Sequence, residues 1–343
     1  METDSMSDPL EILVVGGGSA GRRHFRYLRD YGQRCAVCDP APDCRVMKEF
    51  PDARRLDAYD GADLSQFDAV VICTPPFLHV PQLIAAAKAG CHLLSEKPLA
   101  VLHDEGLDEL RSLVAAKQLV AAVSFPYANM KAMDRIGALI ETGALGRIRS
   151  VQIHHGQNIL KYRPDFFETY YAVDAQGGGV LQDDAMHPMM GLEILFGPEL
   201  EITCQRHHIG IRRADVTADD TAWLWMRFRD DLVVAVDFTM QCPLQHNEWY
   251  INGEKAVIRF HVEEPSIEIL DAATETTQVE RFDDSWDETF RANDENFVDA
   301  IRGKAMVRCD LDMAIVNHHA VLAARKSADL GRTVRMDEIR GDG

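Results

Sequence analysis

The stretch "EILVVGGGSAGRRHFRYLRD" (residues 11–30) decides the fold. It begins with a short apolar run, crosses a cluster of glycines and continues with apolar residues at helical spacing. Within it, Gly16, Gly18 and Gly21 form the pattern G-x-G-x-x-G. A strand that leads through this pattern into a helix is typical of the turn that binds a dinucleotide.

Each glycine of this turn has a physical role in the predicted site. The first permits the tight turn, the second lets a pyrophosphate approach the backbone, and the third lets helix and strand pack closely. The phosphates then meet the free N–H groups at the start of the helix. We therefore expect the cofactor to contact Gly16, Gly18, Ser19, Ala20 and Gly21. The alternative is that the glycines form only a tight bend.

Asp39, at the end of the second predicted strand, bears on the choice of cofactor. A carboxylate at that position accepts hydrogen bonds from the ribose hydroxyls of NAD and repels the 2′-phosphate of NADP. The sequence therefore favours NAD, while the nearby Arg45 leaves NADP open. The alternative is that Asp39 and Pro40 only open a turn.

The order of the predicted elements changes along the chain. Strands and helices, among them a helix over 104–118, alternate over residues 11–125, which is the signature of a doubly wound parallel sheet. Helices near 130–142 and 184–196 follow, and strand-like runs joined by short turns fill 200–282. Because those runs lack crossover helices, we expect them to form an antiparallel sheet.

These elements predict two domains of different class. The first is an α/β Rossmann domain over 9–125, and the second is an α+β domain over 126–343 with an open, mainly antiparallel sheet. Two helices, near 287–302 and 311–329, end the chain. Whether the last helix packs back on the first domain is left open.

Several strand ends carry residues suited to a ligand site. Ligands of open α/β sheets bind outside the carboxyl ends of the strands. The motifs "CTPPFLH" and "SEKP" follow two strands on the same edge as the glycine turn. We therefore expect this cleft to be lined by Thr74, Pro75, His79, Glu96 and Lys97. Lys97 is a candidate donor to a substrate hydroxyl or carbonyl. The alternatives are a capping role for His79 and a solvated surface position for Lys97.

A second constellation lies in "GGGVLQDDAMHPMMG" (177–191). Asp183 and His187 share one face if this segment is helical. A carboxylate beside an imidazole fixes its tautomer, so His187 is a candidate general base oriented by Asp183. Proton abstraction from an alcohol, with hydride leaving the same carbon, is dehydrogenase chemistry. Asp184 is a rival partner, and a helix cap is another role for Asp183. No further ligands cluster here, so no metal site is predicted.

Five further side chains are weaker candidates for contact with the substrate: Tyr127, Tyr162, Arg163, Tyr171 and Asp184. The polar and aromatic segment "KYRPDFFETYY" suits a hydroxylated ligand, and an equal alternative is that it covers the sheet. The histidine pairs at 154–155, 207–208 and 318–319 are interpreted as structural, because adjacent residues of a strand face opposite ways.

The composition argues against several classes of function. The 343 residues suggest two domains, and the net charge of −19 argues against binding to nucleic acid or to an anionic membrane. No apolar run is long enough to span a bilayer, and the start "METDSMSDPL" resembles neither a signal nor a transit peptide. The eight scattered cysteines then predict reduced thiols in a cytoplasmic protein.

The motifs together resemble the glucose–fructose oxidoreductase, inositol dehydrogenase and rhizopine-catabolism (Gfo/Idh/MocA) family. The resemblance rests on "GGGSAGRRH", "CTPPFLH", "SEKPLA", "ETGALGRI" and "GGGVLQDDAMH". It implies a Rossmann domain, an open antiparallel sheet that often mediates oligomers, and NAD(P)-dependent oxidation or reduction of sugars, sugar nucleotides or cyclitols. It also implies that Lys97 binds the reacting hydroxyl, that Asp183 and His187 are the catalytic pair, and that the protein is a homo-oligomer, a dimer or a tetramer.

The chain departs from the family pattern near the predicted site. Pro126 and Ala128 stand where the family often has Asn and Arg, and Met190 replaces a usual aspartate. Because the lysine, aspartate and histidine are retained, we expect an active dehydrogenase whose substrate class stays open. Two alternatives are an enzyme that uses NAD transiently, as epimerases or glycosidases of similar fold do, and a non-catalytic dinucleotide sensor.

Overall fold

The computed structural model describes residues 8–102 and 106–340. The chain forms two compact units: the first comprises Met1–Ser124 and Phe290–Asp312, and the second comprises Phe125–Thr289 and Met313–Gly343. The predicted domain bounds stay a prediction, and the compact units differ from them in that Phe290–Asp312 returns to the first unit.

The first unit alternates strands and helices, as predicted. Its elements are β1 (Glu11–Val15), α1 (Ser19–Asp30), β2 (Arg34–Cys38), α2 (Arg45–Glu49), β3 (Arg54–Leu56), β4 (Ala69–Ile72), α3 (His79–Ala89), β5 (His92–Glu96), α4 (Leu107–Lys117) and β6 (Ala121–Ser124). The helix predicted over 104–118 is α4, and the first part of that prediction lies outside the described residues.

All strands of this unit are parallel, in the order β3-β2-β1-β4-β5-β6. Burial on both faces explains why β4 reads as a continuous apolar run. Phe297 and Val298, from the returning segment, pack in the same core as β1 and β4. The doubly wound α/β architecture predicted from the sequence is therefore confirmed.

The register of this sheet brings three strand ends together. Val15 of β1 is opposite Ile72 of β4, and Ile72 is opposite Ser95 of β5. Because the three strands run in the same direction, the glycine turn and the segments that follow Ile72 and Ser95 leave the sheet along one edge.

The second unit is built on one large sheet. Its elements are α5 (Lys131–Glu141), β7 (Ile148–Asn158), α6 (Ile159–Tyr162), α7 (Met186–Phe196), β8 (Glu201–His207), β9 (Thr221–Arg227), β10 (Val233–Thr239), β11 (Gln241–Gly253), β12 (Ala256–His261), β13 (Ser266–Asp271) and β14 (Thr277–Arg281). They are followed by α8 (Trp286–Ile301), α9 (Leu311–Leu330), β15 (Val334–Arg335) and α10 (Asp337–Arg340), and both α8 and α9 run across the division between the units.

The strand order of the second sheet is β14-β13-β12-β11-β7-β10-β9-β8-β15. All neighbours are antiparallel except β7 and β10. The mainly antiparallel α+β prediction is therefore confirmed. Side chains alternate within β9: Ala222 and Leu224 are buried, whereas Trp223 and Trp225 are about half exposed.

Helix α7 packs against strand β11 of this sheet. Gly191 lies where α7 approaches the ring of Trp249 on β11, and a Cβ on that glycine would contact the ring at 2.7 Å. Trp249 is fully buried. The contact fixes the helix that carries His187 against the sheet.

Among the described residues, no helix is both long and apolar enough to cross a bilayer.

Candidate functional site

The glycine turn has the geometry that dinucleotide binding requires. Gly16 adopts a φ of 95°, in the left-handed region, and a Cβ there would lie 2.6 Å from the carbonyl oxygen of Cys73. A Cβ on Gly21 would overlap the carbonyl oxygen of Gly16. A Cβ on Gly18 would have no other atom within 4 Å. Two glycines are therefore required for packing, and the third faces open space.

The start of α1 offers backbone donors beside that open space. The residue before the helix is Gly18, which has no side chain to cap it. The amides of Ser19, Ala20 and Gly21 have no acceptor within the helix, because the first turn of any α-helix leaves its N–H groups unpaired. Unpaired amides at a helix start suit a phosphate. These residues therefore fit the pyrophosphate of a dinucleotide.

Asp39 is held at the glycine turn by two backbone donors. Its Oδ2 accepts the N–H of Gly17 at 2.6 Å, and its Oδ1 accepts the N–H of Ala41 at 2.8 Å. The side chain is half-buried at the end of β2. A carboxylate thus lies beside the glycine turn. The contact between Asp39 and a ribose stays a prediction.

His79 ties two strand-end segments together. It is 1% exposed, with Nδ1 2.7 Å from the carbonyl oxygen of Pro98 and Nε2 2.8 Å from that of Thr74. Burial lowers the pKa of His79. Both ring nitrogens of His79 thus face carbonyl groups of the protein, and its contact with the cofactor stays a prediction. Thr74 is half-buried and donates its hydroxyl to Gln82 at 2.6 Å, and Pro75 is exposed.

Glu96 ends β5 with its carboxylate turned into the protein. The residue is 8% exposed, and its Oε1 accepts from Arg23 at 2.9 Å and lies 3.2 Å from Nε2 of His24. The opposite ring nitrogen of His24 lies 2.6 Å from Asp294. The Glu96 carboxylate binds these cations because a buried charge needs partners, and its place in the lining of the cofactor cleft stays a prediction.

This network determines the charge of His24. Burial lowers the pKa of His24, but the charge and hydrogen bond of Asp294 and the contacts with Glu96 outweigh burial and raise it to about 9. Burial likewise opposes the charge of Glu96, but the hydrogen bond of His24 and the charge of Arg23 hold the pKa of Glu96 well below its usual range. His24 is therefore an imidazolium at neutral pH.

Lys97 is the accessible member of a buried segment. From Leu93 to Ala100, Lys97 alone is half-buried and every other residue is buried. Its N–H donates to Glu96 Oε2 at 3.3 Å, and the peptide bond to Pro98 is cis. Lys97 is thus the one partly accessible residue in a strand-end segment that is otherwise part of the core. Its role toward a substrate stays a prediction.

The second half of the predicted site begins with a π-helical turn. Val180–Asp184 forms this turn, with the N–H of Ala185 donating to the carbonyl of Val180, and α7 begins only at Met186. The predicted helix over 184–196 is therefore found with a different start. A Cβ on Gly178 would overlap the carbonyl oxygens of Tyr170 and Tyr171, so the glycines before the turn permit close approach of backbone.

His187 is the accessible member of this second segment. From Val180 to Glu193, His187 alone is half-buried and every other residue is buried. Its ring meets that of Phe125 edge to face, with centroids 6.0 Å apart. Asp183 is 7% exposed in the π-helical turn. A partly exposed imidazole in an otherwise buried helical segment is a good candidate for proton transfer. The pairing of Asp183 with His187 stays a prediction.

Asp184 binds strand β7. Its Oδ1 lies 3.1 Å from Nε2 of His155, and its Oδ2 accepts from Nε2 of Gln157 at 2.8 Å. Burial alone raises the pKa of Asp184, but the charge and hydrogen bond of His155 outweigh it and lower that pKa. Both oxygens of Asp184 thus have protein partners, and its contact with the substrate stays a prediction. His187 also stabilises its negative charge.

The remaining weak candidates are divided between core and surface. Tyr127 is fully buried, and its hydroxyl accepts from the Asn247 amide at 2.6 Å. Its contact with the substrate stays a prediction. Tyr162 is 47% exposed. The Arg163 guanidinium lies 4.8 Å from the ring centroid of Tyr171, which is a cation–π contact between two of the predicted residues.

Sequence reasoning assigned no partner to four residues that hold these segments: His24, Asp294, His155 and Gln157. A signal existed for His24, because it lies on the apolar side of the first helix, where an ionisable group needs a partner. A signal also existed for His155, since strand alternation turns one residue of the pair 154–155 inward. Among the described residues, no group of three His, Cys, Asp or Glu side chains is arranged to hold a metal.

Comparison with known proteins decides the family. Residues 10–125 match the model of the oxidoreductase family with an NAD-binding Rossmann fold. Residues 133–259 match the model of the Gfo/Idh/MocA C-terminal domain. The two matches together cover more than half of the chain.

The protein belongs to the Gfo/Idh/MocA family. It is therefore an oxidoreductase with an NAD-binding Rossmann domain. A family relative, an uncharacterized oxidoreductase of Synechocystis sp., is 26% identical over 265 residues, which cover 73% of this chain and 71% of that protein. Levoglucosan dehydrogenase of Pseudarthrobacter phenanthrenivorans is 29% identical over 194 residues, 52% of this chain and 49% of its own. That alignment thus spans about half of the dehydrogenase.

Solved structures of the Gfo/Idh/MocA type share the fold over almost the whole chain. Levoglucosan dehydrogenase in complex with NADH and levoglucosan superposes with a TM-score of 0.85 at 21% identity, over 96% of this chain and 100% of that one. An inositol dehydrogenase homolog of Azotobacter vinelandii in complex with NAD+ superposes with a TM-score of 0.84 at 21% identity, over 96% of this chain and 98% of that one. At this identity the likeness establishes the fold.

Proposed function

We propose that the protein oxidises a secondary alcohol of a sugar, sugar derivative or cyclitol with NAD, or reduces the corresponding ketone. The observation that carries the proposal is the exposure of His187, which alone among the residues from Val180 to Glu193 is not buried. Relatives named levoglucosan dehydrogenase, D-glucoside 3-dehydrogenase and inositol 2-dehydrogenase support the carbohydrate class.

Three side chains divide the work on the substrate. Lys97 donates a hydrogen bond to the oxygen of the reacting hydroxyl and stabilises the negative charge that develops there. His187 takes the hydroxyl proton as general base, and Asp183 orients its ring. NAD, when bound, accepts the hydride from the carbon that carries the hydroxyl. The proton thus leaves from oxygen to His187, and the ketone is left as product.

Asp39 and the glycine turn select and hold the cofactor in this proposal. The open space at Gly18 and the unpaired amides of α1 take the pyrophosphate, and the Asp39 carboxylate accepts from the adenosine ribose. The same negative charge disfavours the 2′-phosphate of NADP. We therefore infer that NAD is the preferred cofactor.

The proposal includes a homo-oligomer and a cytoplasmic location. Trp223 and Trp225 are 51% and 57% exposed on the outer face of the second sheet, and such large apolar side chains are common at interfaces. Replacement of both by Lys is expected to lower the mass measured by light scattering, and an unchanged mass contradicts this surface as the interface. None of the eight cysteines, all of which lie in the described part of the chain, forms a disulfide bond, which suits the reducing cytoplasm.

The test is turnover with a panel of levoglucosan, myo-inositol and D-glucosides in the presence of NAD. We expect net accumulation of NADH with at least one of them, and His187→Ala is expected to lower kcat by about 100-fold or more. His154→Ala is the matched control, because His154 lies on β7 in the same unit, is exposed and pairs with Asp237 at 2.5 Å. It is expected to keep the wild-type rate.

Three outcomes contradict the proposal. A wild-type rate in His187→Ala would show that His187 is not the general base. Product formation without net NADH indicates transient use of NAD, as in an epimerase or glycosidase. Tight NAD binding without turnover across the panel favours a dinucleotide sensor.

A further inference from the structure

Within the first unit, a chain of buried charged groups links α8 to Lys97, the residue that follows the end of β5. Asp294 contacts His24, His24 contacts Glu96, and Glu96 directly precedes Lys97. We propose that His24 is a positioning residue for Lys97: it holds the Glu96 carboxylate and thereby fixes the backbone from which the lysine side chain projects. The proposal deepens the proposed function, on which it rests.

The geometry at His24 requires a doubly protonated ring. Its side chain is fully buried, with Nδ1 2.6 Å from Asp294 Oδ1 and Nε2 3.2 Å from Glu96 Oε1. Both partners are carboxylates, which as anions only accept hydrogen bonds, so both ring nitrogens donate. A neutral ring would direct a lone pair at one of the two carboxylates. The position of Glu96 therefore depends on the charge of His24.

The other polar groups around His24 balance the charge. Arg23 donates to the same Glu96 oxygen at 2.9 Å, so two cations and two carboxylates form one cluster. The Asn293 amide lies 3.4 Å from Asp294. The nearby Cys73 thiol stays neutral, since burial raises its pKa well above the usual range. Removing a single charge leaves its partner buried and uncompensated, which is costly.

The network reaches Lys97 through the second oxygen of Glu96. Oε1 faces the cations, whereas Oε2 accepts the N–H of Lys97 at 3.3 Å. On the far side of the lysine, the Pro98 carbonyl oxygen lies 2.7 Å from His79. The lysine backbone is therefore held both before and after the residue. A small shift at a reacting group is enough to slow catalysis strongly.

The decisive variant is Asp294→Asn, which keeps the shape of the side chain and removes the charge that favours the imidazolium. Asp299→Asn is the matched control. Asp299 lies on the same helix, accepts from the Tyr31 hydroxyl at 3.1 Å and is half-buried. We expect Asp294→Asn to lower kcat about tenfold or more, with the dissociation constant of NAD changed less than about twofold. Asp299→Asn is expected to keep the wild-type kcat.

The pH profile separates positioning from simple loss of stability. In the wild type, His24 keeps its proton up to about pH 9. In Asp294→Asn the ring loses its proton at lower pH, so kcat is expected to fall with rising pH where the wild type is flat. His24→Arg, which restores a cation, is expected to recover part of the rate that His24→Gln loses. An unchanged pH profile in Asp294→Asn overturns the proposal.

Two NMR measurements decide the proposal without turnover. Titration of the His24 ring nitrogens in the wild type is expected to show an imidazolium at pH 7, and a neutral ring overturns the proposal. The ammonium signal of Lys97, assigned by comparison with Lys97→Met, is expected to shift in Asp294→Asn and not in Asp299→Asn. A Lys97 signal that does not move overturns the proposal. Absence of turnover in the wild type contradicts the proposed function instead.

Discussion

Asp294 and His24 are 270 residues apart in the chain, yet the carboxylate of one lies 2.6 Å from the imidazole of the other, and both side chains are fully buried. The pair connects α8 with α1, the helix that opens the dinucleotide site. Because the second ring nitrogen of His24 faces Glu96, the pair also connects α8 with the end of β5. A local pattern of residues does not reveal such a connection.

The stability of the protein is predicted to depend on the protonation of His24. The pKa rises from 6.5 in the unfolded chain to about 9 in the fold, so the folded state binds the proton more tightly. The stabilisation is fully present below pH 6.5, decreases as pH rises and is lost above about pH 9. The difference is of the order of 3 kcal/mol. Urea denaturation at pH 6, 7.5 and 9.5 measures it.

Asp294→Asn is the control for that dependence. Without the carboxylate, the pKa of His24 falls toward its unfolded value, so the loss of stability between about pH 6.5 and 9 is expected to become smaller than in the wild type. Equal slopes in the two proteins contradict a raised pKa at His24.

Replacement of two glycines of the turn by alanine is predicted to change different properties: NAD binding for Gly18→Ala and stability for Gly21→Ala. Gly18→Ala is expected to fold with an unchanged melting temperature, because its Cβ meets no atom within 4 Å, and to weaken NAD binding about tenfold or more. Gly21→Ala is expected to lose about 3 kcal/mol of stability, because its Cβ overlaps the Gly16 carbonyl oxygen. Calorimetry measures both quantities, and equal NAD affinity in Gly18→Ala and the wild type argues against a phosphate at this position.

Asp39 is predicted to set the preference for NAD over NADP. Asp39→Ala removes the charge that opposes a 2′-phosphate, so the ratio of kcat/KM for NAD to that for NADP is expected to fall about tenfold or more. Because Asp39 also accepts from Gly17 and Ala41, NAD binding itself is expected to weaken. Asp43→Ala, which removes an exposed carboxylate from the following loop, is the control. An unchanged ratio in Asp39→Ala excludes this role.

Asp184 and His155 are predicted to be strongly coupled. Asp184→Asn leaves His155 without its negative partner in a buried position, and is expected to cost about 3 kcal/mol of unfolding free energy. His155→Gln is expected to cost a similar amount. The double variant is expected to lose clearly less than the sum of the two, as urea denaturation of all four proteins will show. Additive losses contradict the pair.

The sequence predicted the elements whose information is local. The glycine turn, the alternation of strands and helices and the position of Lys97 at a strand end follow from short patterns and from the rule that ligands bind at the carboxyl ends of strands. The structure agrees on the glycine turn because its contacts lie between residues close together in the chain. Gly16 and Gly21, for example, contact each other directly.

Other features depend on contacts between residues that are far apart in the chain. The sequence did not show that the Asn247 amide donates to the Tyr127 hydroxyl, or that His79 faces two backbone carbonyls, because tertiary packing selects those partners. The π-helical turn before α7 was also missed, since a turn of that kind has no residue pattern of its own. The carboxylates at positions 96 and 184 were identified as important, but their partners were not.

The central claim is transfer of a hydride from a carbinol carbon with Lys97 and His187 as the groups that act on the hydroxyl. The most direct test is a single turnover with NAD and a substrate from the panel that carries deuterium on that carbon, followed by mass analysis of the reduced nicotinamide. The wild type is predicted to give reduced cofactor that carries the label, while His187→Ala and Lys97→Met give none within the same time. Label in the cofactor at the wild-type rate from either variant, or unlabelled reduced cofactor from the wild type, would contradict the account.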